Sequence, residues 1–314
     1  MRLDLVVPIF NEEENLPELA LRIKRVCDEI ADLTWRVIYV NDASTDDSLP
    51  VMLAQQRADA RFTVIDLSRN FGHQAAISAG LAHADADAVV VMDGDLQDPP
   101  ELIGQFVEAW RAKAQVVLGR RRSRQEQGLR RLGFDLFHRL FQRVSDYPIT
   151  PNTGSFGLLD RRAVEQLRKL PERHRFLPGL QTWIGFEQRT VYYDRQARAA
   201  GEPKQTIRRL IHYGLDGIFS FSYKPLRLMT LAGTLISTLG FLTAFYFIAK
   251  RLLGYEVAQI GFTTLVTLVL VLGGVQLVAI GLLGEYLGRV YDEVKARPLY
   301  IVKAYHGLHG HAPS

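Results

Sequence analysis

Asp93, Gly94 and Asp95 form the segment of this chain best suited to chemistry. Mg²⁺ and Mn²⁺ are hard ions that take one or two carboxylates and fill their other positions with phosphate oxygens and water. Two acids flanking a glycine offer those ligands and let a diphosphate approach the backbone. The same residues would also make an ordinary Asp-Gly turn leading into a helix cap. Three other segments place polar groups after short apolar runs: Pro8-Ile9-Phe10-Asn11-Glu12, Val40-Asn41-Asp42 and Gly119-Arg120-Arg121. Asp42 can accept hydrogen bonds from a base or a ribose, or cap the helix after Ser44-Thr45-Asp46. The chain has no glycine-rich dinucleotide fingerprint after its first apolar run and no P-loop.

These segments act together only if a frame brings them to one edge. Leu3–Ile9, Arg36–Val40, Phe62–Leu67, Ala88–Met92 and Gln115–Leu118 read as strands. Helical stretches over Glu12–Ile30, Asp46–Ala60, Gln74–Ala84 and Pro99–Lys113 separate them; in the first, Leu16, Leu19, Ile23, Val26 and Ile30 recur at helical spacing. Asp98 is expected to cap the Pro99–Lys113 helix, whose two prolines suit a first turn. Strand alternating with helix predicts an α/β domain with a mainly parallel sheet covered on both faces. Sites in such sheets lie beyond the carboxyl ends of the strands, so the four polar segments would share one rim.

The 314 residues carry 38 Lys+Arg against 34 Asp+Glu, a formal charge of +4, and 47% are hydrophobic. That balance excludes a disordered chain, and the evenly mixed charge gives no nucleic-acid footprint. A single cysteine, Cys27, excludes an internal disulfide and a cysteine-based zinc site. The mean hydropathy of −0.01 averages two unlike regions. Met229–Ala249 and Ile260–Gly284 are free of charge, and each is long enough to cross a hydrocarbon core of ~30 Å. Lys204, Arg208, Arg209, Lys224 and Arg227 precede them, and Arg289, Lys295, Arg297 and Lys303 follow. This bias predicts a multi-pass protein of the plasma (inner) membrane with its large N-terminal region and its tail in the cytoplasm. Lys250 and Arg251 in the connector oppose it weakly. Met1–Phe10 reads as a strand rather than a signal peptide. Leu129–Val144 and Ile207–Phe221 are amphipathic and suit a membrane interface. Gly233, Gly240 and Gly273-Gly274 permit the close helix contacts of a homo-oligomer.

The motifs Pro8…Asn11-Glu12, Asn41-Asp42-Ala43-Ser44, Ser68-Arg69-Asn70-Phe71-Gly72-His73-Gln74 and Asp93-Gly94-Asp95-Leu96-Gln97-Asp98-Pro99 resemble those of family 2 glycosyltransferases of GT-A fold. With the two C-terminal spans, the chain is similar to the polyprenyl-phosphate glycosyltransferases: bacterial bactoprenol glucosyltransferases and, more distantly, dolichyl-phosphate mannose synthases. The likeness extends to about Tyr305. It implies a GT-A (Rossmann-like) domain over 1–204, a juxtamembrane amphipathic helix over 205–227, two transmembrane helices within 228–285 and a cytoplasmic tail over 286–314.

The resemblance also implies roles. Pro8, Phe10 and Glu12 would hold the nucleotide-sugar, with base and ribose contacts at Val40 and Asp42. Asp95 would be the principal ligand of Mg²⁺ or Mn²⁺, with Asp93 and Gln97 assisting and Gly94 between them. Arg121 would contact the phosphates. Arg198-Ala-Ala-Gly201-Glu202-Pro203-Lys204 matches a motif that ends in Gly-Glu-Ser-Lys in relatives, with Pro203 in place of serine; Arg198 and Lys204 would grip phosphate, or face anionic lipid. Relatives often read Thr-Gly-Asp-Phe where this chain has Thr153-Gly154-Ser155-Phe156, so the acid that would serve as base is missing. Asn152, Thr153 and Ser155 remain acceptor-site candidates. The expected reaction is inverting transfer of a hexose from UDP-glucose to undecaprenyl phosphate. A GDP-mannose-dependent synthase and a non-catalytic nucleotide-sugar-binding scaffold are the alternatives. The Gln-x-x-Arg-Trp pattern of processive synthases is absent.

Overall fold

The computed structural model describes residues 1–122, 153–173, 175–194, 224–253 and 261–307. Strand and helix alternate through the first part as β1 (Arg2–Ile9), α1 (Leu16–Glu29), β2 (Thr34–Asn41), α2 (Ser48–Ala58), β3 (Phe62–Leu67), α3 (His73–His83) and β4 (Ala88–Val91). A 3₁₀ turn (Pro100–Leu102), α4 (Ile103–Arg111) and β5 (Val116–Arg121) follow, then β6 (Thr153–Asp160), α5 (Arg161–Lys169), α6 (Leu177–Trp183) and β7 (Gln188–Tyr193). Two long helices, α7 (Lys224–Leu252) and α8 (Phe262–Val294), precede a last strand, β8 (Val302–His306).

The eight strands form one sheet in the order β7-β5-β6-β4-β1-β2-β3-β8. β1 pairs in parallel with β2 and β4, β2 with β3, and β5 with β7. β6 is antiparallel to both β4 and β5, and β8 is antiparallel to β3. The sheet is therefore mainly parallel, as expected, with two reversed strands. All parallel strands end on the same rim, and β6 and β8 begin there.

Both faces are covered, which is why the inner strands read as nearly unbroken apolar runs. Leu5 and Val7 of β1 pack with Leu16, Leu19 and Ile23 of α1 and Phe106 of α4 on one face. Val6 points the other way, into Ala76 and Ile77 of α3 and Val164 and Leu167 of α5. Gly80 lets α3 lie against β1: a Cβ there would come 2.2 Å from a Val6 methyl. Asp4, buried in the middle of β1, is held by a bidentate Arg36 guanidinium at 3.0 and 2.7 Å and by the Asp85 N–H at 2.9 Å.

Three sequence expectations shift. Asp98 caps no helix, because the chain passes through the 3₁₀ turn before α4 starts and Asp98 points inward instead. The second apolar helix continues past Gly284 to Val294. Beyond it the expected tail is in part a strand of the central sheet. Among the described residues one helical stretch, Val271–Val294, is long and apolar enough to cross a membrane, and Met229–Thr243 is a shorter apolar helix. The amphipathic segment 129–144 lies outside the described residues, as does 205–227 apart from the start of α7.

Candidate active site

Side-chain hydrogen bonds tie the rim loops to one another. Asn11, directly after β1, has its N–H bonded to Ser44 Oγ at 3.1 Å, while its side-chain oxygen accepts the Thr45 N–H at 2.8 Å. Glu12 N–H donates to Ser48 Oγ at 2.9 Å. Asn41 donates to Asp66 Oδ1 at 2.7 Å and accepts the Ser44 N–H at 3.1 Å. The Asp42 carboxylate takes the N–H groups of Phe71 and Gly72, at 2.7 and 2.9 Å. Asn11, Ala43 and Leu96, with φ of 56, 55 and 60°, turn through the left-handed region in these loops. Alanine and leucine rarely adopt it, so the turns beside Asp42 and Asp95 hold strain.

The acidic segment leaves β4 against the end of β1. A Cβ on Gly94 would lie 2.4 Å from Ile9 Cδ1, so a larger residue there would have to displace the Ile9 side chain. Asp95 Oδ1 accepts the Gln97 N–H at 3.1 Å, an Asx turn that fixes its carboxylate. Asp93 Oδ1 is buried with no hydrogen-bond partner, and the His73 ring nitrogen Nε2 lies 3.4 Å from it. A buried carboxylate oxygen without a donor is costly unless a ligand completes it. Hard acidic oxygens, one of them unsatisfied, fit a divalent cation.

Next to this segment stands a network that sequence reasoning missed. Tyr193, last residue of β7, donates its hydroxyl hydrogen to Asp98 Oδ1 at 2.6 Å and accepts Arg121 Nε–H at 3.1 Å. Arg121 also lies 3.6 Å from Asp98 Oδ1. Burial, then the neighbouring Asp93, pushes the Asp98 carboxyl up to about 6, while the Tyr193 hydrogen bond and Arg121 oppose the rise. Burial, then Asp98, raises the Tyr193 hydroxyl. Burial disfavours the charge on Arg121, and its bond to Tyr193 with the charges of Asp98 and Asp93 more than offsets this. The guanidinium is thus a fixed cation whose Nε side is occupied.

The expected site residues divide by place. Asp93, Gly94, Asp95, Gln97, Arg121, Phe10, Glu12, Thr153 and Ser155 all lie at the rim. Phe10 is 42% exposed and offers an open ring. Glu12 accepts from Asn15 Nδ2 at 2.6 Å. Pro8 is buried and Val40 lies in the core packed toward Gly80, so they form floor rather than surface. The Asp42 carboxylate holds the Phe71–Gly72 turn. Thr153 pairs with Arg120 across β5–β6, and the Gly154 position lies 3.5 Å from Arg121. Asn152, Arg198 and Lys204 fall outside the described residues. Asp66 has no place among the sequence expectations, and Asn41 enters them only as part of the Val40-Asn41-Asp42 and Asn41-Asp42-Ala43-Ser44 segments, with no role of its own. A signal for Asn41 existed in its place beside Asp42; for Tyr193 there was none.

Residues 4–168 match the family Glycosyl transferase family 2, and residues 224–290 match the GtrB C-terminal hairpin. A protein from Synechocystis, named as an uncharacterized glycosyltransferase, is 43% identical over 98% of this chain and 96% of its own length. The prophage-derived bactoprenol glucosyl transferase of Shigella flexneri is 39% identical over 98% of this chain and 99% of its own. Among solved structures, a mannosyltransferase from Pyrobaculum calidifontis in complex with GDP-Man and Mn²⁺ superposes with a TM-score of 0.48 and 16% identity, covering 94% of this chain and 85% of that one.

Proposed function

This chain belongs to glycosyl transferase family 2, and we propose that it transfers glucose from UDP-glucose to a membrane polyprenyl phosphate, undecaprenyl phosphate, with inversion at the anomeric carbon. The observation that carries the reading is the unsatisfied Asp93 oxygen on the same rim as the braced Arg121. The acceptor and sugar are those in the names of relatives 37–39% identical over nearly the whole chain. The hairpin match and the exposed apolar helix point to membrane association. We read both helices as spans, with the sheet domain and both termini in the cytoplasm.

Asp95 and Asp93, with Gln97 assisting, would hold Mg²⁺ or Mn²⁺. When bound, such an ion screens the charge that develops on a departing diphosphate. Arg121 adds a second cation there, and its bonds to Tyr193 and Asp98 mean that little reorganisation is needed during reaction. Arg198 and Lys204 are read as further cationic contacts to phosphate. The phosphate of the acceptor has a second pKa near ~6 and is mostly dianionic at neutral pH. It needs positioning rather than a base, so Ser155 in place of an acid is no obstacle. Thr153 and Ser155, at the start of β6, carry hydroxyls that would donate hydrogen bonds to it, and Asn152 is read as a further acceptor contact. The acceptor oxygen attacks the anomeric carbon from the face opposite the nucleoside diphosphate.

The test incubates membranes containing the protein with labelled UDP-glucose or GDP-mannose, with Mn²⁺, Mg²⁺ or chelator, and counts label extracted with polyprenyl phosphate. Metal-dependent label from UDP-glucose, lost in Asp95→Ala, is expected. Label from GDP-mannose alone would replace the donor, and full activity of Asp95→Ala would remove the acidic segment from the mechanism.

A further inference from the structure

The strand that follows the membrane hairpin enters the sheet at the active rim. β8 runs antiparallel to β3, with Val302 paired to Leu67, the last residue of β3. Ser68 N–H donates to the Ile301 carbonyl at 2.9 Å, so the pairing continues to the point where the chain leaves for the loop touching Asp42. From β8 a chain of polar contacts crosses the rim. Lys303 Nζ lies 3.4 Å from Asp66 Oδ2. Asp66 Oδ1 accepts from Asn41 Nδ2 at 2.7 Å, Asn41 Oδ1 accepts the Ser44 N–H at 3.1 Å, and Ser44 Oγ accepts the Asn11 N–H at 3.1 Å. Asp66 and Asn41 are buried, 4% and 1% exposed, while Lys303 reaches them from the surface.

The direction of this relay matters. An amide can give its N–H to one side and its oxygen to the other in only one orientation. Because the Asp66 carboxylate can only accept, it holds the Asn41 NH₂ toward itself and so turns the Asn41 oxygen toward Ser44. Asp66 has one other polar partner among the described residues, the Lys303 ammonium. We infer that Lys303 is a positioning residue for the donor site: by anchoring Asp66 it sets the Asn41 amide, and through it the loops after β1 and β2 that carry Phe10, Glu12 and Asp42. The inference rests on the donor-site reading above. Its consequence is that the donor rim is tied to the membrane hairpin, since residues 295–301 alone separate α8 from β8. A second tie joins the same helix end to the sheet domain, where Arg173 N–H donates to Glu293 Oε1 at 2.8 Å.

The test uses the full-length protein in lipid nanodiscs, as wild type, Lys303→Met and Lys303→Arg. Amide hydrogen exchange is followed without ligand, and binding of UDP and of GDP is titrated in the presence of Mn²⁺. Lys303→Met is expected to speed exchange within residues 10–15 and 42–48 and to weaken nucleotide binding roughly three- to tenfold, with recovery in Lys303→Arg. Unchanged exchange in those loops overturns the inference. So does exchange that rises evenly through the whole sheet domain, because Lys303 would then only stabilise the fold. If the loops loosen in Lys303→Met while the wild type binds neither nucleotide, the relay stands and the donor reading fails.

Discussion

The sheet domain and the C-terminal hairpin use the same apolar residue types in opposite ways. In the sheet, Leu5, Val6, Val7 and Ile38 are completely buried. In the hairpin, Phe241, Phe245 and Leu277 are 78%, 72% and 72% exposed. Exposed patches of that extent are not left to water, and on α8, whose Val271–Val294 stretch is long and apolar enough to span, such a surface fits hydrocarbon. The polar groups reverse in step. On α7, Thr230, Thr234, Thr238 and Thr243 each bond back to the carbonyl four residues earlier, at 2.8 to 3.0 Å, which satisfies the hydroxyls within the helix. At the rim of the sheet, side chains reach between loops far apart in sequence and leave an Asp93 oxygen unfilled. The hairpin leaves its apolar side chains open, whereas the rim leaves a carboxylate oxygen open.

Two substitutions separate these regions. Asp93→Ala removes the unfilled oxygen, and transfer to polyprenyl phosphate is expected to fall by at least ~10³-fold while the protein still sediments with membranes. A soluble Asp93→Ala protein would break the division of labour. Leu277→Asp does the reverse. A carboxylate near the middle of a span costs about 3 kcal/mol on insertion scales, so membrane partition should drop about a hundredfold. Binding of UDP by the sheet domain should persist in that variant; its loss would mean that the two regions fold as one.

The parts of this molecule that were legible in the sequence are those where neighbours in the chain are neighbours in space. Apolar runs marked β1 to β5, and helical spacing in Leu16, Leu19 and Ile23 marked α1. The acidic segment was visible because two carboxylates and a glycine are adjacent. Tyr193 was not, because its partner Asp98 lies 95 residues away and a tyrosine ending a short strand has no periodic signature. Asp98 itself was misread: an acid before two prolines has the local form of a helix cap, and only tertiary burial turns it inward. β8 was missed for a similar reason. Five residues with Lys303 and His306 look like a solvated tail until β3 offers them an unpaired edge.

The buried acid gives the sheet domain a pH signature of its own. Asp98 has a carboxyl pushed up to about 6 by burial and by Asp93, against about 4 in an unfolded chain. The folded state therefore holds this proton more tightly. Its contribution to stability is fully present below about pH 4 and is lost as pH rises through about 6, a swing on the order of 2–3 kcal/mol. In chelator-treated protein, Asp98→Asn should remove that slope from a plot of melting temperature between pH 4 and 7. An identical slope in both proteins would place the titrating group elsewhere.

The smallest effect tests how finely the rim is set. Tyr193→Phe keeps the ring that packs edge-on against Phe156 at 5.5 Å and deletes only the oxygen shared by Asp98 and Arg121. Arg121 then loses its Nε partner, and Asp98 loses its shortest hydrogen bond. A bond to a charged group contributes about 1.5–3 kcal/mol, but Arg121 remains 3.6 Å from Asp98 and keeps part of its constraint. A loss of about tenfold in kcat is therefore expected, with little change in donor KM, because a looser guanidinium weakens the hold on the leaving diphosphate more than the hold on bound substrate. If KM rose instead and kcat held, Arg121 would be a binding group for the ground state, and the leaving group's charge would fall to a cation held by Asp93 and Asp95 together with Arg198 and Lys204. The same variant should sediment with membranes as the wild type does, since nothing it alters reaches the hairpin.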